Sequence, residues 1–140
     1  MPGLFLEDLT LGRSAERSRV VTAGDIDAFA EITGDENPVH LDETYASQTR
    51  FGGRIAHGML AAGFISAVLG NDLPGPGAVY LSQTLKFRRP VRIGDEVTAK
   101  VVVTEIHETR ARVSLKTVCT VAGELVVEGE AVVLAPRRNA

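Results

Sequence analysis

A single cysteine, Cys119, in 140 residues excludes an intramolecular disulfide. The N-terminal stretch Pro2-Gly3-Leu4-Phe5-Leu6-Glu7-Asp8 lacks a basic segment followed by a long apolar core, so no secretory leader is expected and a cytoplasmic setting is the simplest reading. Neither sign of charge dominates: 15 basic against 18 acidic side chains leave a net charge of -3, which gives no global electrostatic case for nucleic acid or an anionic membrane. The longest mostly apolar run, Gly58 to Leu69, is too short to span a bilayer and contains Ser66. Paired cysteines and an H-x-x-x-H spacing are both missing, so no metal ligand set is expected from Asp35, His40 and His57. Gly75-Pro76-Gly77 is followed by no Lys-Ser or Lys-Thr and reads as a linker, not a phosphate loop. Internal repeats and low-complexity segments are absent as well. With 44% hydrophobic residues the chain is long enough for one buried core, and a single domain over residues 1–140 is expected, with 136–140 as a frayed tail.

What is present has two regimes. Thr22-Ala23-Gly24-Asp25 has capping-box spacing, and Ile26, Phe29, Ala30 and Ile32 recur at helical intervals, so an amphipathic helix is expected from Ala23 to Thr33, stopped by Gly34. Asn37-Pro38 should keep the next segment extended, and Asp42 can cap a brief helix through Ala46. Gly58 to Leu69 is apolar nearly all round, which places a helix in the middle of the domain, enclosed by other elements. Beyond it the pattern switches to alternation. Val79, Leu81, Leu85 and Phe87, then Val97 to Val103, then Val113, Leu115 and Cys119, then Leu125, Val127, Ala131 and Val133 keep one parity. Four strands with one apolar face call for an α+β arrangement, an antiparallel sheet covering that helix. Ala122-Gly123-Glu124 is short enough for a hairpin turn.

Gly34-Asp35-Glu36-Asn37-Pro38-Val39-His40 sets an acid and an imidazole five residues apart, and His57-Gly58 opens the apolar helix. A carboxylate in an apolar tunnel is a plausible base, an imidazole a plausible proton donor, and an inward-pointing helix N-terminus an oxyanion site. That equipment suits adding or removing water beside a carbonyl. The same stretch is also an ordinary helix stop and turn, and a histidine before a helix is often only a neighbour of the cap. Ser66 lies two turns along the helix from Gly58, where its hydroxyl either orients water or Asp35 or bonds back to the preceding turn. Gln83, the polar residue on its strand face, needs a buried partner or contacts substrate. Lys86, Arg88, Arg89 and Arg92 form a basic cluster, with Arg50 and Arg54 nearby, which is either a solvated face or a patch for phosphates. His107 reads as solvated, and Cys119 as a buried thiol.

The motifs Gly34 to Asp42, Ile55-Ala56-His57-Gly58-Met59-Leu60, Phe87-Arg88-Arg89-Pro90-Val91 and Gly94-Asp95-Glu96-Val97 together make the chain resemble the MaoC-like (R)-specific 2-enoyl-CoA hydratases. The resemblance covers nearly the whole chain. It implies a hot-dog fold, a curved antiparallel sheet wrapped around a long helix, usually as a homodimer. It implies Asp35 and His40 as the catalytic pair, the Gly58 amide as the oxyanion donor, and Ser66 and Asn37 in support. The substrate implied is a coenzyme A thioester, with no other cofactor, and His57, Gln83, Lys86, Arg88 and Arg89 become candidates for contacting it. A dehydratase for carrier-protein, branched or polyketide acyl groups is the alternative. A hot-dog thioesterase and a non-catalytic acyl-binding subunit are further ones, disfavoured by the Asp35/His40 motif.

Overall fold

A computed structural model describes residues 2–139. The alternating segments form one curved antiparallel sheet of six strands, β1 Ser14–Val20, β2 Val79–Gln83, β3 Lys86–Phe87, β4 Glu96–His107, β5 Arg112–Val121 and β6 Glu124–Leu134. Their order across the sheet is β1-β4-β5-β6-β2, with β3 pairing β6 beyond the end of β2. Between β1 and β2 run α1 Ala23–Thr33, α2 Pro38–Leu41, α3 Glu43–Ser47 and α4 Gly58–Asn71. None of the described helices is long and apolar enough to cross a membrane.

The parity of β4 and β5 builds the core. Val97, Ala99, Val101 and Val103 of β4 and Val113, Leu115 and Cys119 of β5 are buried against Ala61, Ile65, Val68 and Leu69 of α4. Register puts Ala99 opposite Cys119 and Cys119 opposite Val127, so inward side chains form rows across three strands. Burial pushes the Cys119 thiol up to about 12, and its Sγ points at the Ala61 carbonyl, 3.4 Å away. A group so poorly ionised is packing, not a nucleophile.

Four expectations need correction. In β6 the register shifts between Cys119 and Thr120 of the partner strand, so Val126 and Val127 are both buried while Leu125 is only half-buried. A bulge of this kind turns one strand face over, and parity does not reveal it. The segment from Val79 to Phe87 is not one strand with an inward face. It breaks at Thr84, whose carbonyl packs onto Gly129 so tightly that any Cβ there would collide, and Val79, Leu81 and Phe87 remain exposed. The helix α4 is not enclosed all round. Met59, Gly63, Ser66 and Gly70, spaced four, three and four residues apart, form an open stripe of small and apolar residues. Finally, residues 136–138 are tied down: the Pro136 carbonyl accepts from Leu6 N–H at 2.8 Å, Arg138 N–H donates to Glu7 at 2.7 Å, and its guanidinium pairs with Asp8.

The strand β1 carries no apolar alternation, because Glu16, Arg17, Ser18 and Arg19 face solvent at the sheet edge. It is held by its ladder to β4 and by Arg17 on Asp72 at 2.6 Å. Charged side chains on such an edge discourage pairing with other chains.

Candidate active site

The helix α1 has the expected bounds, and its capping box is formed: Asp25 N–H donates to Thr22 Oγ1 and Thr22 N–H to Asp25 Oδ2, both at 3.1 Å. Arg19 also clasps Asp25 and, with the Thr22 contacts, holds its carboxyl below the usual carboxylate range. After Gly34 the loop is shaped by short side chains. Asp35 N–H donates to Thr33 Oγ1 at 3.2 Å, and Asn37 N–H donates to Asp35 Oδ1 at 3.3 Å. Asn37 then caps α2 through its side-chain oxygen to Val39 N–H at 3.1 Å. Pro38 therefore does not keep the following segment extended. It occupies the first helical position, where its missing N–H costs nothing, and opens the single turn that carries His40.

The segment Arg54 to His57, leading into α4, binds this loop from the other side. The Ile55 carbonyl accepts from His40 Nδ1–H at 2.8 Å, Arg54 Nε donates to the His40 carbonyl at 2.6 Å, and Ile55 N–H donates to the Val39 carbonyl at 3.3 Å. A carbonyl only accepts, so Nδ1 of His40 carries hydrogen and Nε2 is the nitrogen left to exchange a proton. His57 Nε2–H donates to the Asp35 carbonyl at 3.0 Å. The two imidazoles stack with centroids 3.9 Å apart.

A carboxylate oxygen of Asp35 and ring nitrogens of His40 and His57 lie within 4.8 Å of one another. Groups that share one water at about 2.8 Å each stand about 4.6 Å apart, so Asp35 and His40 are spaced to act on a single water molecule. The sequence argument against a metal rested on ligand spacing along one element, whereas the fold gathers these three residues from separate elements. Asp35 is exposed and lines an open cavity of about 470 Å³, so the single chain does not enclose it in an apolar tunnel. Phe29, Thr33, His40, His57, Gly58 and Met59 complete that wall.

Gly58 begins α4, and no side chain caps the turn among the described residues; Leu60 N–H donates to the His57 carbonyl at 3.0 Å, while the Gly58 and Met59 amides keep their hydrogen-bonding capacity at a helix end that borders the cavity. The Phe87 ring lies directly on Gly58, where a Cβ would approach its Cδ1 and Cε1 to 2.7 Å. Gly58 and Phe87 also line a second cavity of about 410 Å³, together with Arg50, Arg88 and Arg89.

A MaoC-like domain model matches residues 9–124 of this chain. The chain belongs to the MaoC-like family. It is 54% identical over 135 residues to an (R)-specific enoyl-CoA hydratase of Rhodospirillum rubrum, covering 96% of this chain and 94% of the relative. It is 53% identical over 136 residues to a 3-hydroxybutyryl-CoA dehydratase of Methylorubrum extorquens, covering 97% and 87%. The solved structure of an R-hydratase from Pseudomonas aeruginosa superposes with a TM-score of 0.93 at 43% identity, covering 97% of this chain and 88% of that one. The sheet and helix described above are thus the hot-dog fold.

Within this MaoC-like domain the remaining candidates are dispersed. Ser66 shares neither cavity with Asp35; it lines a third, of about 440 Å³, with Gln83 and Tyr80. Gln83 has the buried partner its position requires: Nε2 donates to Thr117 Oγ1 at 2.9 Å and to the Thr84 carbonyl at 2.8 Å, while Tyr80 donates to its Oε1. Arg88 pairs with Glu128 at 2.7 Å and Arg89 with Glu124 at 3.1 Å, and both border the second cavity. Lys86 stands opposite Glu128 in register and borders none of these cavities. Arg54 is committed to the fold, through the His40 carbonyl and Asp27 at 2.9 Å. Arg50 lies over the Phe51 ring, 4.9 Å from its centroid.

Proposed function

We propose that the protein is an (R)-specific enoyl-CoA hydratase, catalysing reversible syn hydration of a trans-2-enoyl-CoA to the (R)-3-hydroxyacyl-CoA. The observation that carries this reading is the approach of the Asp35 carboxylate and the His40 imidazole to within 4.8 Å of each other beside the unspent amides of α4. Asp35 and His40 together hold the water. As its oxygen bonds to C3 of the enoyl group, the pair takes up one proton, and the carbonyl electrons move onto the thioester oxygen, where the Gly58 N–H stabilises them. The pair then returns a proton to C2. Because one pair handles both oxygen and proton, both reach the same face of the double bond, and dehydration is the reverse path. The names of the relatives at 54% and 53% identity describe these two directions.

The acyl-CoA enters past the second cavity, with Arg50, Arg88 and Arg89 on its wall and Lys86 beside them on β3 to meet the phosphates, Asn37 shaping the catalytic loop and Ser66 acting only indirectly from its separate cavity. The functional unit is a homodimer. Support comes from exposed Val79, Tyr80 and Leu81 on the β2 edge, the open stripe of α4 and the exposure of Asp35, a group that needs water excluded around it. No metal takes part. Loss of the ultraviolet absorbance of crotonyl-CoA on mixing with purified protein tests the proposal. Decay that survives EDTA is expected; no decay above background across several chain lengths would overturn the activity, and decay abolished by EDTA would assign Asp35, His40 and His57 to a cation.

A further inference from the structure

His57 precedes α4 in sequence, yet its side chain makes no cap bond to that helix. It is 3% exposed, with Phe29 against it at 4.7 Å between centroids, at an angle of 47°, and His40 stacked on it at 3.9 Å. Its Nε2 is committed to the Asp35 carbonyl at 3.0 Å, and its Nδ1 is buried with no hydrogen-bond partner among the described residues. A ring so enclosed offers little to a substrate.

Arg54 and Ile55 anchor the far end of the catalytic loop through Val39 and His40, but residues 34–37 are otherwise held only from nearby in sequence. The hydrogen bonds of Gly34, Asp35 and Asn37 to Ala30, Thr33, Asp35 Oδ1, Val39 and His40 all run between residues at most four apart. Among the described residues, only the bond from His57, 22 positions away, ties the Asp35 backbone to a distant part of the chain. The residue that makes it is covalently joined to Gly58, which lines the same cavity at the start of α4.

We infer that His57 is a positioning residue: it fixes the Asp35 backbone and the His40 ring at a set distance from the Gly58 amide, so that base, acid and oxyanion donor form one rigid unit. The inference rests on the hydratase reading for its kinetic consequence, but its structural consequence is independent of it. Displacement of a reacting group by about 1 Å costs on the order of 10²-fold in rate, while binding of the distant coenzyme moiety is untouched.

Three variants separate the donor from the ring. His57→Phe keeps a stacking ring and removes the donor, His57→Asn removes the ring and leaves its amide N–H short of the Nε2 position, and His57→Gln keeps an N–H donor near the Nε2 position. For crotonyl-CoA hydration, kcat is expected to fall about 10–100-fold in Phe and Asn with KM within about threefold, and to recover to within about threefold of the parent in Gln. Amide hydrogen exchange, followed by mass spectrometry, should speed up across residues 34–37 in Phe and Asn but not in Gln. If Phe fails to fold, Asn carries the comparison. Unchanged kcat in Phe and Asn, equal losses in Gln and Phe, or slow variants with unaltered exchange would each overturn the inference. A parent protein without hydratase activity would remove the proposed function, and the exchange data alone would then decide whether His57 holds the loop.

Discussion

Replacing Gly58 by alanine introduces one methyl group at the point where helix, cavity and Phe87 meet. The new Cβ would stand 2.7 Å from two Phe87 ring carbons, about 1 Å inside the usual carbon–carbon separation. Phe87 is 54% exposed, so its ring can yield toward solvent instead of straining a closed core. The folding cost is therefore expected at the low end for overpacking, about 1 kcal/mol, and partly offset by the better helix propensity of alanine. Catalysis has no such relief, because the methyl and the displaced ring share the cavity walls from which the amide must reach a thioester oxygen. Alanine keeps the N–H, so the loss comes from blocked access, and full separation of oxygen and donor would cost about 2.7–4 kcal/mol, or 10²–10³ in kcat. Steady-state hydration of crotonyl-CoA by Gly58→Ala, with a thermal melt beside it, should thus give a loss of that size and a melting temperature lowered by no more than about 4 °C. Phe87→Ala and the double variant complete the test. Turnover of Gly58→Ala within about threefold of the parent would refute the reasoning that the methyl and the displaced ring block the amide, and full recovery in the double variant would trace the loss to the ring alone.

Asp35→Asn and His40→Gln should each lower kcat by about 10²–10⁴ with unchanged circular dichroism, and near-normal rates in either would make the pair structural. Ser66→Ala, in a separate cavity, should reduce turnover by less than about tenfold; a loss equal to that of Asp35→Asn would place Ser66 in the same catalytic unit. The Asp25 carboxyl is held below its ordinary range by Arg19 and the Thr22 contacts, so its contribution to stability is complete above about pH 4 and fades as the pH falls further. The melting difference between Asp25→Asn and the parent should accordingly shrink on acidification, and a difference constant from pH 7 to pH 3 would contradict the assignment.

Local chemistry was the readable part. Thr22, Asp25 and Gly34 delimit α1 in the sequence and in the fold, and alternation in β4 and β5 named the core residues, because both depend on neighbours within a few positions. Pro38 misled in detail, since a proline disfavours a helix before it yet opens one well. The strand β1 was invisible because its stability lies in backbone ladder bonds, which leave no hydrophobic period. The turned face of β6 and the break at Thr84 arise from contacts between strands, and the open stripe of α4 is hidden in a sequence that is apolar nearly all round. In the site, the types and spacing of Asp35, His40 and Gly58 pointed to acid, base and amide. The part of Arg54 and His57 did not show, because both act through backbone carbonyls of residues distant in sequence, and any residue type supplies a carbonyl.

Hydration of crotonyl-CoA in deuterium oxide, with the configuration of the product determined at both C2 and C3, tests the central claim most directly. Asp35 and His40, within 4.8 Å of each other on one side of the cavity, should deliver hydroxyl and deuteron to the same face and yield only (R)-3-hydroxybutyryl-CoA. Anti addition would contradict a single pair acting on a single water, and an (S) product would contradict the (R) assignment.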